Sequence, residues 1–316
     1  MINGIINVYK EKGFTSHDVV AKLRGILKQK KIGHTGTLDP EAEGVLPVCL
    51  GNGTKLCDML TDRSKEYVSE FLLGISTDTQ DTTGTVLTRE RVDITPKQLC
   101  ETVQSFAGEY DQIPPMYSAC KVNGKRLYEL ARQGKEVERK PRRVMIEELE
   151  ILEMDFPECS AGESDEDSPS LPRIKIRVVC SKGTYIRTLC HDIGERLGCG
   201  AAMDSLLRTR VGSFALADAM KLSQIEEWAR GEQTDPIWIP VDQMFSVLPN
   251  AVVTGSGIKA VQNGNYLFPG QFVLSQEKAA CRHGEEIRVY DGNGRFYGIY
   301  GYDKEKKGFR PVKMFL

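Results

Sequence analysis

Between Ile32 and Gly53 the chain carries glycine or proline at seven positions: Gly33, Gly36, Pro40, Gly44, Pro47, Gly51 and Gly53. Glycine opens backbone conformations closed to other residues, while proline fixes φ and removes a donor, so no helix runs through such a stretch. It reads as a shaped loop, interrupted by the mostly apolar stretch Val45–Leu50. Loops held on a rigid scaffold are where chemistry gathers. That draws attention to Asp39, although an isolated Asp-Pro more often does no more than open a turn.

The surroundings pattern as mixed α/β. Val19, Val20, Leu23, Ile26 and Leu27 form one apolar face and predict a helix over 16–29, with Thr15 to Asp18 as its capping box. Leu99, Val103 and Phe106 predict a second helix over 96–106, capped by Thr95 and opened by Pro96. A third is expected over Thr184–Leu197, ended by Gly198 and Gly200. Tyr67–Leu73 and 174–178 read as strands, and 158–172 as an acidic, flexible surface loop. Pro236, Pro240 and Pro249 suggest a linker over 236–247 between a domain over 1–235 and a small unit over 248–316. There, a hairpin turning at Asp291–Gly294 and other short strands suggest a β-barrel.

Composition narrows the function. No run of about 18 apolar residues suggests a membrane span, and the apolar start, Met1–Val8, reads as a strand rather than a signal peptide. Nine scattered cysteines without a Cys-x-x-Cys pair, and four histidines off zinc spacing, point to free thiols in a reducing cytoplasm and to no metal. The net charge is −2, yet positive charge is clustered. Lys22, Arg24, Lys28, Lys30 and Lys31 stand without an acid among them, Arg132 to Arg143 adds six, and 248–316 holds ten Lys/Arg against six Asp/Glu. A basic footprint on a near-neutral chain suits phosphate contacts on one face.

His34-Thr35-Gly36-Thr37-Leu38-Asp39-Pro40, continuing through Ala42 and Gly44 to Val45-Leu46-Pro47, resembles the active-site motif of the TruB family of pseudouridine synthases. Four further blocks resemble that family's motifs in the same order: Lys65-Glu66-Tyr67 with Gly74 to Gly84; Gln112 to Gly124; Ser181 to Thr188; and Leu206 to Phe214. With Gly13 to Ser16 the likeness spans 13–214. The chain departs from the pattern at Glu11, where the family usually has proline, and at Ala202, where histidine is common.

The resemblance implies an α+β catalytic domain around a mixed, mainly antiparallel sheet, followed by a small PUA-like β-barrel. It implies isomerisation of uridine 55 in the tRNA T loop, without a cofactor, on a base flipped out of its stack. Asp39 matches the nucleophile, Arg187 its arginine partner, and Tyr185 the residue near C5 that removes the last proton. Tyr67 matches the aromatic stacking on uracil, His34 the residue filling the space of the flipped nucleotide, Leu206 a wall of the uracil pocket, and Lys55 a phosphate contact. The partner expected is the T-arm of tRNA, with the protein a monomer needing no protein partner. The alternatives are a guide-RNA-dependent synthase of the dyskerin type and a tRNA-folding chaperone.

Overall fold

The computed structural model describes residues 1–157, 171–232, 235–275 and 282–316. Nearly all of the acidic stretch 158–172 lies outside the described residues. A ten-stranded sheet organises the chain, in the order Ile239–Pro240, Gly4–Lys10, Glu43–Leu50, Ala201–Val211, Lys65–Leu73, Arg173–Cys180, Arg142–Asp155 and Gly108–Gln112, with Ile32–His34 and Phe214–Ala215 attached beside it. Among the described residues every strand-to-strand pairing in this sheet is antiparallel except one at its middle, where Leu207 and Arg208 lie parallel to Glu43 and Gly44. The expected mixed, mainly antiparallel sheet is the one found.

Burial differs between the halves of the sheet. Gly4–Lys10 and Glu43–Leu50 are buried almost continuously, as strands covered on both faces must be. Helix Ser16–Ile26 packs one face, with Val19, Val20 and Leu23 against Ile6, Val8 and Leu46. Lys65–Leu73 instead alternates buried with half-exposed residues. Its inner face joins Tyr67 and Phe71 to helices Pro96–Gln104 and Ile186–Leu197. Its outer face carries ion pairs, with Arg177 meeting Glu66, Glu148 and Glu150.

Local signals in the sequence account for the helix ends. Thr15 and Asp18 form the reciprocal capping box, Thr95 and Gln98 do the same for the second helix, and Gly198 closes the third with φ of 76°. The third helix begins at Ile186 rather than Thr184.

Two expectations meet a different arrangement. The segment expected as a linker contributes Ile239–Pro240 to the main sheet, paired with Gly4 and Ile5. Val241 and Phe245 follow it into the core. The C-terminal strands form a five-stranded sheet rather than a closed barrel: among the described residues its outer strands, Phe272–Leu274 and Gly308–Met314, do not pair. Period-two patterning identifies strands, but closure depends on tilt and stagger that it does not encode.

Candidate active site

The loop bearing Asp39 enters the sheet at its parallel seam. Packing there is too close for a side chain at Gly44, whose φ is +104° and whose added Cβ would lie 2.2 Å from the Arg208 carbonyl oxygen. The loop is then pinned from several directions. Ser16 Oγ accepts from the Leu38 N–H at 2.9 Å, the Gly13 N–H donates to the Pro40 carbonyl at 2.9 Å, and Thr61 Oγ1 donates to the Thr35 carbonyl at 2.8 Å.

Two buried cations complete the support. Lys10 is fully buried and donates to the carbonyls of Glu11, Pro40 and Ala42 at 3.2, 3.1 and 2.6 Å. Burial pushes its ammonium down to about 8, against the opposing pull of Asp39 and Glu43. Arg208, 1% exposed, donates through Nε to the Val45 carbonyl at 2.7 Å and through Nη2 to that of Gly36 at 3.3 Å. Glu11 stands in the place of the family proline, and the loop contact from Gly13 to Pro40 forms beside it.

Against this loop stands Arg187, whose Nε lies 3.1 Å from Asp39 Oδ2. The arginine side chain is 7% exposed and that of Asp39 is 44% exposed. One is therefore enclosed while the other is open to solvent. Arg187 also donates through Nη1 to the Thr79 carbonyl at 3.0 Å and to Asp81 Oδ2 at 3.3 Å, and through Nη2 to the Tyr117 carbonyl at 3.0 Å. With Nη1 and Nη2 engaged by three acceptors, the guanidinium presents its Nε edge to Asp39 as an ion pair.

The apolar part of the site follows from strand register. Tyr67 lies opposite Arg208 and Leu206 opposite Ser69, so Tyr67, Leu206 and Leu38 share one buried cluster beside the Asp39 loop. Burial raises the Tyr67 hydroxyl above the usual tyrosine value. Tyr185 precedes the helix of Arg187, with its hydroxyl 3.1 Å from Cys120 Sγ. Burial pushes that hydroxyl up to about 12. His34 accepts the Gly36 N–H through Nδ1 at 3.3 Å and meets His17 edge-on at 5.3 Å. Burial lowers its pKa, favouring the neutral ring.

Asp39, Arg187, Tyr67, Leu206, Tyr185 and His34 thus all belong to this loop or to the elements packed against it. Lys55 does not: its ammonium donates to the backbone oxygens of Met314 and Leu316, both at 3.0 Å. Asp81, Lys10 and Arg208 received no role from the sequence. A signal was present for Arg208, a charge on a strand whose neighbours Leu206 and Leu207 are apolar. Buried charge needs specific compensation, which here is backbone carbonyl oxygen.

Residues 24–186 match the family described as TruB family pseudouridylate synthase (N terminal domain), more than half of the chain. The chain belongs to the TruB family. Residues 187–246 match the tRNA pseudouridylate synthase B C-terminal domain. The two TruB matches meet inside helix Ile186–Leu197. A relative named tRNA pseudouridine synthase B from Lachnoclostridium phytofermentans is 54% identical over 315 residues, covering 100% of both chains. One of the same name from Alkaliphilus oremlandii is 45% identical over 289 residues, 92% of this chain and 90% of the relative. Among solved structures, this TruB chain resembles one in a Cbf5-Nop10-Gar1 complex, with a TM-score of 0.66, 26% identity and coverage of 99% of this chain and 85% of that one. A chain of an H/ACA RNP bound to a substrate RNA, at 24% identity and the same TM-score and coverage, shares the fold.

Proposed function

We infer that this chain is a tRNA pseudouridine synthase, acting on uridine 55 of the T loop. The observation that carries the reading is the Asp39–Arg187 pair: a solvent-open carboxylate, held at 3.1 Å by a buried arginine, on a loop pinned at the sheet's parallel seam. The reaction breaks the N1–C1′ bond, turns the base and joins C5 to C1′. The C5 proton is lost and N1 gains one, so nothing is oxidised or reduced. A carboxylate serves such a step as a covalent nucleophile, as in glycosyl transfer. Arg187 pairs with Asp39 and aims it.

The remaining roles are assigned in the same reading. Tyr67 stacks on the extruded uracil, Leu206 walls its pocket and His34 occupies the place the nucleotide leaves. Tyr185 takes the C5 proton. With its hydroxyl held near 12, the phenolate is scarce at neutral pH, so proton removal through it speeds up as pH rises. The C-terminal sheet serves as a PUA-like RNA-binding unit, which its excess of Lys/Arg over Asp/Glu supports. The protein acts as a monomer in the cytoplasm without a guide RNA. Full-length relatives named tRNA pseudouridine synthase B favour this over a guide-dependent enzyme or a chaperone. Among the described residues no helix is long and apolar enough to cross a membrane.

Tritium release from C5-labelled, unmodified tRNA by the purified chain tests the reading. Asp39→Asn is expected to abolish release while tRNA retention on filters persists. Near-normal release by Asp39→Asn sinks the mechanism; no release by the wild type sinks the function.

A further inference from the structure

Tyr185 and Arg187 stand at the start of helix Ile186–Leu197, and the capping position, Tyr185, makes no side-chain capping bond. A helix start left without support is free to fray. Here the support comes from another element. Gln112 Oε1 accepts the Tyr185 N–H at 2.8 Å, and Gln112 Nε2 donates to the Tyr185 carbonyl at 2.9 Å. One residue's N–H and C=O held together is the pairing a neighbouring strand makes, and it fixes the two peptide groups flanking Tyr185. The orientation of the amide is dictated by chemistry, since only Oε1 can accept from an N–H.

Gln112 is itself held. It is 1% exposed and ends strand Gly108–Gln112 at the edge of the main sheet. Its Nε2 also donates to the Tyr110 hydroxyl, which donates to Asp192 Oδ2 at 3.3 Å. Asp192 lies on the same helix, about two turns beyond Tyr185. The edge strand therefore grips this helix at two heights, through a chain of bonds in which each donor meets an acceptor.

We propose that Gln112, backed by Tyr110 and Asp192, is a positioning residue of the isomerisation: it sets the Tyr185 peptide and so keeps Tyr185 and Arg187 in register with Asp39. It acts through those residues and does not touch the RNA. The proposal rests on the function inferred above.

The test compares full-length wild type, Gln112→Leu and Tyr110→Phe by steady-state tritium release, filter retention of tRNA and thermal unfolding. Gln112→Leu is expected to lower kcat roughly 10- to 100-fold, the scale on which small misplacements of reacting groups act. KM and tRNA retention are expected to stay within about twofold, separating positioning from binding. Tyr110→Phe keeps the core volume and is expected to lower kcat less, again with KM unchanged. An unchanged kcat in a folded Gln112→Leu overturns the proposal, as does a loss confined to KM. If Gln112→Leu does not fold, Tyr110→Phe decides, and an unchanged kcat in it overturns the proposal. A wild type that releases no tritium instead removes the function beneath it.

Discussion

Arg187 shows what a single residue contributes that a like-charged substitute does not. Its partners, the carboxylates of Asp39 and Asp81 and the carbonyls of Thr79 and Tyr117, surround one planar group. A lysine offers three donors from one nitrogen and cannot span them. Arg187→Lys is expected to lower turnover on tRNA roughly 10²-fold, the cost of misplacing a reacting group, with tRNA retention preserved. Steady-state tritium release checks it, and activity close to wild type would mean that charge alone suffices. Lys10 makes a second residue-level case. Its folded pKa is pushed down to about 8 from 10.5, so between those values the unfolded chain holds a proton that the folded chain has shed. Stability therefore rises with pH across that window, by on the order of 2 kcal/mol per such lysine between pH 7 and 9.5. Lys65, also lowered to about 8 by burial, contributes in the same sense. Lys10→Met is expected to halve that rise in urea midpoints, and an equal rise in both proteins would refute it.

At the scale of elements, helices were more legible than the way strands assemble. Thr15, Asp18, Thr95, Pro96 and Gly198 act locally, so their caps could be read from a few adjacent residues and are found where expected. The parallel seam depends on residues more than 150 positions apart, and no local pattern encodes it. The same division holds at the site. Asp39, Arg187 and Tyr67 were named through whole motifs, whereas Lys10, Arg208 and Asp81 have roles visible only once distant carbonyls and Arg187 surround them. Gly44 tests the seam. Ala at this position meets both an unfavourable φ and the Arg208 backbone, so Gly44→Ala is expected to cost roughly 3 kcal/mol or more. Gly13, with φ of +86° and nothing within 4 Å of an added Cβ, serves as the control. Its alanine variant bears only the backbone strain, about 1 kcal/mol. Urea unfolding of the two proteins checks this, and equal costs would show that φ, not the close approach, is what Gly44 supplies.

Across the whole molecule, the C-terminal sheet is part of the body rather than a tethered bead. Ile299 and Phe315 share one buried cluster with Ile5, Val45, Leu56, Val241 and Phe245, and Asn52 Nδ2 donates to the Phe315 carbonyl at 2.9 Å. The prolines that suggested a linker bracket a segment which instead belongs to both the main sheet and this cluster. Composition flags such a segment, but only its partners reveal that it is fixed. Lys55 stands at this junction, and the phosphate contact proposed for it would link the junction to the RNA. Two of its three ammonium donors meet the Met314 and Leu316 oxygens, which leaves a third for the phosphate contact assigned to it by resemblance. A residue serving both purposes has two separable signatures. Lys55→Met is expected to cost about 1 kcal/mol of stability through the lost bonds. It is also expected to flatten the dependence of tRNA affinity on salt by just under one unit of log–log slope, the release of about one counterion. Unfolding and filter binding across a salt series measure the two independently. Lower stability with an unchanged slope leaves Lys55 as a clamp on the C-terminal strand and removes it from the RNA face; a lower slope with unchanged stability does the reverse.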